Sequence, residues 1–241
     1  MQQVTSPPAE VFDSARFLHA IAALQPKVAV FDCDGTLWPG DAGVGFMRWS
    51  MSCGLLSRDA SNWLDDRYRA YLRGEVSELA ICSEMVQVYR GLREQELRRA
   101  VGEFFERTVR PQIFPEMFRL CESLVRDGVE LWAVSSTNRW MVEHAAAEFG
   151  IPADRVLAAS VRVDNGVATD VLTDAPTDEG KAIALRRMGV THPDAVFGNS
   201  IHDAAMLLMA RQAFPVNPTP ALLEFSASHG WPVFHPQPAN H

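Results

Sequence analysis

The strongest constraint on the fold is an alternation of apolar strand patterns and amphipathic helix patterns in the second half of the chain. After residue 110, helix-like segments such as PEMFRLCESLVRDG alternate with short apolar runs such as VELWAVSS. The earlier segment KVAVF has the same strand character. Regular strand–helix alternation is typical of a parallel sheet with helices on both faces. The sequence therefore predicts an α/β fold with a doubly wound, Rossmann-like core.

A purely helical block interrupts this pattern between residues 40 and 110. Ser57 and Ser77 stand at N-cap positions, each followed by residues with helical spacing. No segment of the block has the alternation of a strand. We therefore expect an α/β core domain formed by residues 1–39 and 111–241, and an inserted all-helical cap domain formed by residues 40–110.

Local signals refine this organisation. Residues 10–24 carry apolar side chains at near-helical spacing before Pro26, which predicts a helix; they are Val11, Phe17, Leu18, Ile21 and Leu24. In VRVDNGVATDVL, Asn165 and Gly166 form a strong type I′ turn signal and predict a hairpin. The tail from residue 229 is rich in Pro and His and is expected to be partly disordered.

Charge and cysteine content limit the partners and the compartment. The formal net charge of −8 argues against nucleic acid or an anionic membrane surface as the partner. The sequence has no run of 18 apolar residues, and MQQVTSPPAE lacks the pattern of a secretory signal. The four cysteines show no disulfide framework or metal-binding spacing. We therefore expect free thiols and a cytoplasmic location, and the oligomeric state is left open.

Candidate functional residues stand where the predicted strands end. In an open α/β sheet, ligands bind at the carboxyl ends of the strands, so polar residues at these positions gather along one edge. They follow three strands or begin a helix: Asp32, Asp34, Ser135, Ser136, Thr137, Lys181, Asn199, Ser200 and Asp203.

Asp32 and Asp34 indicate the chemistry. Two carboxylates so close together repel each other unless a cation lies between them or one of them is protonated. Carboxylate and amide oxygens are suitable ligands for Mg²⁺, while hydroxyl groups, helix-start amides and a lysine bind phosphate oxygens. A carboxylate held against both groups can act as a nucleophile. These residues favour Mg²⁺-dependent chemistry on a phosphate ester.

Four motifs in this order resemble those of the haloacid dehalogenase-like hydrolases. They are FDCDGTL, VSS, the lysine of DEGKA, and GNSIHD. The pattern is most similar to the subgroup of phosphoserine phosphatases, which carry a small helical C1-type cap between the first two motifs. The resemblance implies a phosphatase that uses Mg²⁺ to hydrolyse a small phosphomonoester through an aspartyl-phosphate intermediate.

The resemblance also implies individual roles. Asp32 would be the nucleophile, Asp34 the general acid/base whose main-chain carbonyl contacts the metal, and Lys181 the cation that offsets Asp32. The residues implied to bind the phosphoryl group are Gly35, Ser135 and Ser136, and those implied to hold Mg²⁺ are Asp32, Asp34, Asn199 and Asp203.

One departure from the family pattern concerns the metal. The last family motif usually begins Gly-Asp, whereas this chain has Gly198-Asn199. An amide oxygen still ligates Mg²⁺, but it contributes no charge. We therefore expect weaker metal affinity.

A second departure concerns the substrate. Asp41 occupies the place of a cap acid that meets a substrate amine in the phosphoserine phosphatases. Met85 stands where that subgroup has an arginine for the substrate carboxylate, and Arg90 or Arg73 are the alternatives. Without a guanidinium, a substrate carboxylate loses its bidentate partner.

An amine-bearing substrate follows from the same residues. Asp41, with Trp38 or Trp49, could hold a cationic head group such as that of phosphocholine or phosphoethanolamine. The rival interpretation is that both tryptophans pack in the protein interior.

Three other functions use the same scaffold. A phosphotransferase shares the whole site, a dehalogenase uses the same aspartate nucleophile, and a catalytically impaired phosphate-binding protein keeps the pocket alone. The second aspartate favours phosphate chemistry over dehalogenation, because a dehalogenase needs neither Asp34 as a proton donor nor Mg²⁺. Asn199 is the residue that supports impaired catalysis.

Overall fold

The computed structural model describes residues 8–239. The strands in this part of the chain are β1 (Val11–Phe12), β2 (Val28–Phe31), β3 (Glu130–Asn138), β4 (Val156–Asp164), β5 (Val167–Asp174), β6 (Ala195–Gly198), β7 (Gln212–Pro215) and β8 (Val233–Phe234). Six of these described strands form one sheet in the order β5-β4-β3-β2-β6-β7. All neighbours in it are parallel except β4 and β5.

Helices cover the sheet and fill the segment between β2 and β3. The α-helices in residues 8–239 are α1 (Ser14–Leu24), α2 (Ala42–Ser52), α3 (Arg58–Leu72), α4 (Glu78–Gln87), α5 (Glu94–Phe104), α6 (Pro115–Arg126), α7 (Arg139–Glu148), α8 (Glu179–Arg187), α9 (Ala204–Leu207) and α10 (Pro220–His229). A short π-helical segment, Phe105–Val109, continues α5. The predicted α/β class, with a doubly wound core and inserted helices, is confirmed.

The register of the sheet brings the strand ends together. Phe31, the last residue of β2, pairs with Ala133 of β3 and with Phe197 of β6. The strand β2 lies at the centre of the sheet, and Ala29, Val30 and Phe31 are fully buried. Because these parallel strands end at the same level, the residues that follow them share one edge of the sheet.

Helix caps form as the sequence predicts. The Oγ of Ser57 accepts a hydrogen bond from the N–H of Ala60, and the Oγ of Ser77 accepts one from the N–H of Ala80. These bonds satisfy amides that the first turn of a helix leaves without a partner. Both predicted N-caps are therefore confirmed.

The hairpin between β4 and β5 also matches its sequence signal. Asn165 and Gly166 have φ angles of 50° and 77°, as a type I′ turn requires at both central positions. The two strands pair in antiparallel fashion on either side of the turn.

The two ends of the described chain differ from expectation. The N-terminal helix begins at Ser14 rather than near residue 10, because Asp13 caps it and Val11–Phe12 forms β1. This short strand pairs with β8, and the rings of Phe17 and Phe234 stack with centroids 3.9 Å apart. Burial of Phe234 packs Val233–Phe234 against the core, so the expectation of disorder is wrong for this part of the tail. Residues 240 and 241 lie outside the described residues.

The four cysteines are all free thiols, and Cys33 and Cys121 are buried. Among residues 8–239, no helix combines the length and the apolarity needed to cross a bilayer.

Candidate active site

A buried lysine joins two carboxylates at the carboxyl edge of the sheet. The Nζ atom of Lys181, near the start of α8, lies 2.8 Å from Oδ1 of Asp32 and 2.5 Å from Oδ1 of Asp203. Asp32 follows β2 directly, and Asp203 ends the short 3-10 turn after β6. The three side chains are 3%, 6% and 0% exposed, respectively, so dissolved salt screens their charges little.

These groups strongly affect each other's protonation. Burial, followed by the charge of Asp203, raises the pKa of Asp32 above its ordinary range, although Lys181 opposes the shift. Burial alone would lower the pKa of Lys181, but Asp203 and Asp32 outweigh that effect and raise it. The lysine is therefore charged near neutral pH. The hydroxyl of Thr36 donates to Oδ2 of Asp32 over 3.0 Å, which fixes the orientation of the carboxylate.

Asp34 is held separately by three donors. Its Oδ1 accepts hydrogen bonds from Nε1 of Trp38 at 2.7 Å and from the N–H of Ala42 at 2.6 Å. Its Oδ2 accepts from Oγ1 of Thr137 at 2.7 Å. Burial, and then the carboxylate of Asp41, raises the pKa of Asp34 to about 6. Such a pKa suits a group that carries and releases a proton near neutral pH.

The end of β3 supplies hydroxyl groups beside these carboxylates. Ser135 is buried, and its Oγ accepts a hydrogen bond from the N–H of Thr137 at 3.1 Å. Asn138 then caps α7 by accepting from the N–H of Met141. The positive end of the helix dipole therefore lies close to the serines, as in many phosphate-binding sites.

The side chain of Asn199 packs against the turn that follows Asp34. Gly35 has a φ angle of +76°, and a Cβ atom there would lie 1.9 Å from Nδ2 of Asn199. Glycine is therefore required both for the backbone conformation and for the close approach of the amide. The loop itself is fixed by Asp203, whose Oδ2 accepts from the N–H groups of Asn199 and Ser200 at 2.8 and 2.9 Å.

The charges and oxygen donors of this cluster fit a hard dication. Asp32, Asp34 and Asp203 bring three carboxylates against the single ammonium of Lys181, so two formal negative charges stay uncompensated when all are ionised. Within residues 8–239, no three His, Cys, Asp or Glu side chains are grouped as a metal-binding cluster. A metal site here therefore needs oxygens of another kind, such as the Asn199 amide and a main-chain carbonyl.

A cavity lies between the inserted helices and the end of β3, and its lining includes Thr137, the residue that donates to Asp34. Its lining includes the predicted residues Asp41, Met85, Ser136 and Thr137. It also includes three residues whose role the sequence did not indicate, namely Tyr68, Tyr71 and Glu78. The tyrosines have the spacing of an apolar helix face, and no local signal indicates that this face meets the active site.

The two tryptophans considered for the substrate do not line this cavity. Trp38 is only 1% exposed, and its indole N–H is bonded to Asp34. Trp49 stacks on Phe46 among the inserted helices. The structure therefore favours the rival interpretation, in which Trp38 and Trp49 contribute to packing rather than to the cavity.

Neither alternative arginine reaches the cavity. Arg73 pairs with Glu75 and Arg90 with Asp170, and all four side chains are largely exposed. Met85 occupies a place in the lining, as the sequence indicated, and brings no charge.

The core, the inserted helices and the carboxylate–lysine cluster define an α/β protein of the capped, Rossmann-like class. The family model of the haloacid dehalogenase-like hydrolases matches residues 29–208. The chain therefore belongs to the haloacid dehalogenase-like hydrolases, and the predicted membership of this family of hydrolases is confirmed.

Individual proteins are similar over most of the chain. A histidinol-phosphatase of Neisseria meningitidis is 22% identical over 87% of this chain and 98% of its own length. A structure of a Bordetella pertussis protein of unknown function superposes with a TM-score of 0.78 at 22% identity, covering 86% of this chain and 97% of that one. A substrate-bound phosphoserine phosphatase superposes with a TM-score of 0.58 at 14% identity, covering 88% and 93%. At these identities, the solved structures demonstrate a shared fold.

Proposed function

We propose that the protein is a Mg²⁺-dependent phosphatase that hydrolyses a small phosphomonoester through an aspartyl-phosphate on Asp32. The observation that carries the proposal is the salt bridge of Asp32 with Lys181, at 2.8 Å, beside an Asp34 held by its own donors. Family membership and the similarity to phosphatases support it.

In the first half of the reaction, a carboxylate oxygen of Asp32 attacks phosphorus and the ester P–O bond breaks. Asp34 gives its proton to the leaving oxygen, which departs as an alcohol. The ammonium of Lys181 balances the charge of Asp32 and of the phosphoryl oxygens. Gly35, Ser135 and Ser136 are the proposed phosphoryl-binding residues, and they follow or end strands at the same edge of the sheet.

In the second half, Asp34 is a carboxylate and takes a proton from a water molecule. The oxygen of that water attacks phosphorus, the bond between phosphorus and Asp32 breaks, and inorganic phosphate leaves. The three donors to Asp34 keep its carboxylate in one orientation through both steps.

The proposed Mg²⁺ site uses the side chains of Asp32, Asn199 and Asp203 and the main-chain carbonyl of Asp34. When bound, Mg²⁺ neutralises charge that develops on the phosphoryl oxygens. The excess of negative charge in the buried cluster supports this assignment.

The helices α2 to α5 are proposed to act as a cap. Residues 40–110 would form this cap over a core of residues 1–39 and 111–241, and would shield the reacting atoms from bulk water. Asp41, at the start of the cap, lines the cavity and is proposed to meet the substrate.

An amine-bearing phosphomonoester is the proposed substrate class. The name of the Neisseria relative assigns it histidinol phosphate, which carries an amine. The acidic Asp41 in the cavity and the absence of an arginine at Met85 support the same class.

The cytoplasmic location stays a prediction, supported by the four free thiols.

The test is hydrolysis of p-nitrophenyl phosphate with Mg²⁺ and with EDTA, by the wild type and by Asp32→Asn. We expect metal-dependent turnover that the substitution abolishes. Equal rates with EDTA or in the variant would exclude the mechanism. Release of inorganic phosphate, measured with and without added alcohols, separates hydrolysis from phosphate transfer.

A further inference from the structure

We propose that the leaving alcohol carries a cationic amine and no carboxylate, and that Glu78 is the residue that selects it. The inference rests on the proposed phosphatase function and specifies the substrate of that same site.

The position of Asp34 determines where the leaving alcohol lies. Asp34 would protonate the leaving oxygen, so the alcohol must extend from phosphorus on the side of Asp34. Thr137 donates to Asp34 and also lines the cavity beneath the inserted helices. The cavity therefore receives the alcohol portion of the substrate.

The charge of this cavity is negative. Asp41 and Glu78 line it, and within the described part of the chain no Lys or Arg belongs to its lining. The guanidinium of Arg48 lies 5.8 Å from the centre of the Tyr68 ring but is not among the lining residues. A carboxylate on the alcohol would face two acids here, whereas an ammonium group would be attracted.

Glu78 has an oxygen that the protein leaves without a hydrogen bond. Its Oε2 is inaccessible to solvent and has no hydrogen-bond partner among the described residues, although Nε2 of His202 lies 3.9 Å away. The carboxylate receives a weak bond from the thiol of Cys82, which lies 3.5 Å from Oε1, and it also interacts with the hydroxyl of Tyr71. A buried acceptor without a donor is unfavourable, and an ammonium group supplies strong donors.

Asp41 has one carboxylate oxygen committed to its own helix, and it is not among the buried acceptors of the described chain that lack a partner. Its Oδ1 accepts from the N–H of Val44 and so caps α2. Glu78 lies in the first turn of α4, and its Oε2 has no hydrogen-bond partner among the described residues. We therefore assign the main ionic contact with the amine to Glu78.

Two aromatic rings complete the environment of the amine. Tyr68 and Tyr71 line the same cavity, and aromatic faces attract cations. Burial, followed by a hydrogen bond with Glu78 and the negative charge of that carboxylate, raises the pKa of Tyr71. The ring therefore lies in the negative field that would attract the substrate.

The cavity volume suggests a compact probe. At about 50 Å³, the space accommodates a short amino alcohol more readily than a large one. Phosphoethanolamine is such a probe, and 2-hydroxyethyl phosphate is its neutral counterpart of almost the same size. Phosphoserine adds a carboxylate to the same skeleton.

The experiment compares kcat/KM for these three esters in the wild type, Glu78→Gln and Glu103→Gln. We expect the wild type to prefer phosphoethanolamine to both other esters by about tenfold or more. Glu78→Gln should reduce the preference over the neutral ester by about tenfold, because the amide lacks the charge. Glu103→Gln is the matched control: it removes an exposed acid of the same segment outside the cavity and should leave the ratio unchanged.

The outcomes separate the two proposals. A wild type with no activity on p-nitrophenyl phosphate contradicts the phosphatase function itself. Activity on that ester without preference for phosphoethanolamine, or with equal use of phosphoserine, overturns the inference alone. A preference that survives Glu78→Gln overturns the role of Glu78. If Glu78→Gln does not fold, the wild-type ratios still test the substrate preference. A Glu78→Asp variant then tests the role of Glu78, because it keeps the charge and should keep the preference.

Discussion

The ammonium of Lys181 lies 2.8 Å from Oδ1 of Asp32, in a pocket where both side chains are almost completely buried. The Oδ1 of Asp203 binds the same ammonium at 2.5 Å, so three buried charges share one cluster. Charges removed from water in this way depend on each other, so the loss of one partner leaves the rest uncompensated.

Replacing this lysine should therefore weaken the fold as well as catalysis. We expect Lys181→Met to lose phosphatase activity and to lower the free energy of unfolding by about 3–5 kcal/mol in the presence of EDTA. Urea denaturation monitored by circular dichroism measures the second quantity. Lys27→Met, at an exposed lysine, is the control and should unfold like the wild type. An unchanged free energy of unfolding in Lys181→Met would contradict the expectation that the buried carboxylates destabilise the fold when the ammonium is removed.

Two glycines with the same positive φ angle allow backbone strain to be distinguished from a side-chain clash. Gly35 and Gly40 both have a φ angle of +76°, but a Cβ atom would clash with Asn199 only at Gly35, since it has open space at Gly40. Gly40→Ala should cost about 1–2 kcal/mol of unfolding free energy from the backbone alone. Gly35→Ala should cost more and should also impair Mg²⁺-dependent activity. Equal losses of stability and activity in the two variants would show that the contact with Asn199 is unimportant.

The raised pKa of Asp34 predicts a pH dependence of stability. Its pKa is 3.8 as the reference value and about 6 in the folded protein, so the native state holds this proton over a pH range where the unfolded chain has lost it. Stability in EDTA should therefore fall as pH rises between these values, by up to about 1.4 kcal/mol per pH unit for one proton. In Asp34→Asn, the free energy of unfolding measured with urea should lack this part of its decrease with pH. Asp154→Asn, at an exposed site, is the control and should show the same pH dependence as the wild type. The same pH dependence in Asp34→Asn would refute the raised pKa of Asp34.

Much of the core and of the carboxylate–lysine cluster follows from the sequence. Asp32, Ser135 and Asp203 stand directly after apolar segments or in the loop that follows one, and parallel pairing then brings these positions to one edge. Local chemistry was sufficient for Ser57 and for the turn at Asn165, because caps and tight turns depend on neighbouring residues.

The cavity and the chain ends depend on contacts distant in sequence. Glu78 and Tyr71 belong to helices whose orientation over the sheet is determined by tertiary packing, which a local pattern does not encode. From its sequence position, Trp38 suits the interior better than a substrate contact, and its buried indole bonded to Asp34 agrees with the interior. The tail forms a strand because Phe234 stacks on Phe17, a residue more than two hundred positions earlier.

The departure at Asn199 gives a direct test of the proposed metal site. Asn199→Asp keeps the size of the side chain, so it should fit beside Gly35, and it adds a carboxylate to a site proposed to bind Mg²⁺. We expect the Mg²⁺ concentration at half-maximal activity to fall roughly tenfold, because affinity rises with the charge of the ligands. Titration calorimetry with Mg²⁺ alone should show the same shift without any substrate. Asn62→Asp places the same charge on an exposed face of α3 and serves as the control, which should leave both values unchanged. If Asn199→Asp binds Mg²⁺ no more tightly than Asn62→Asp, residue 199 is not a metal ligand.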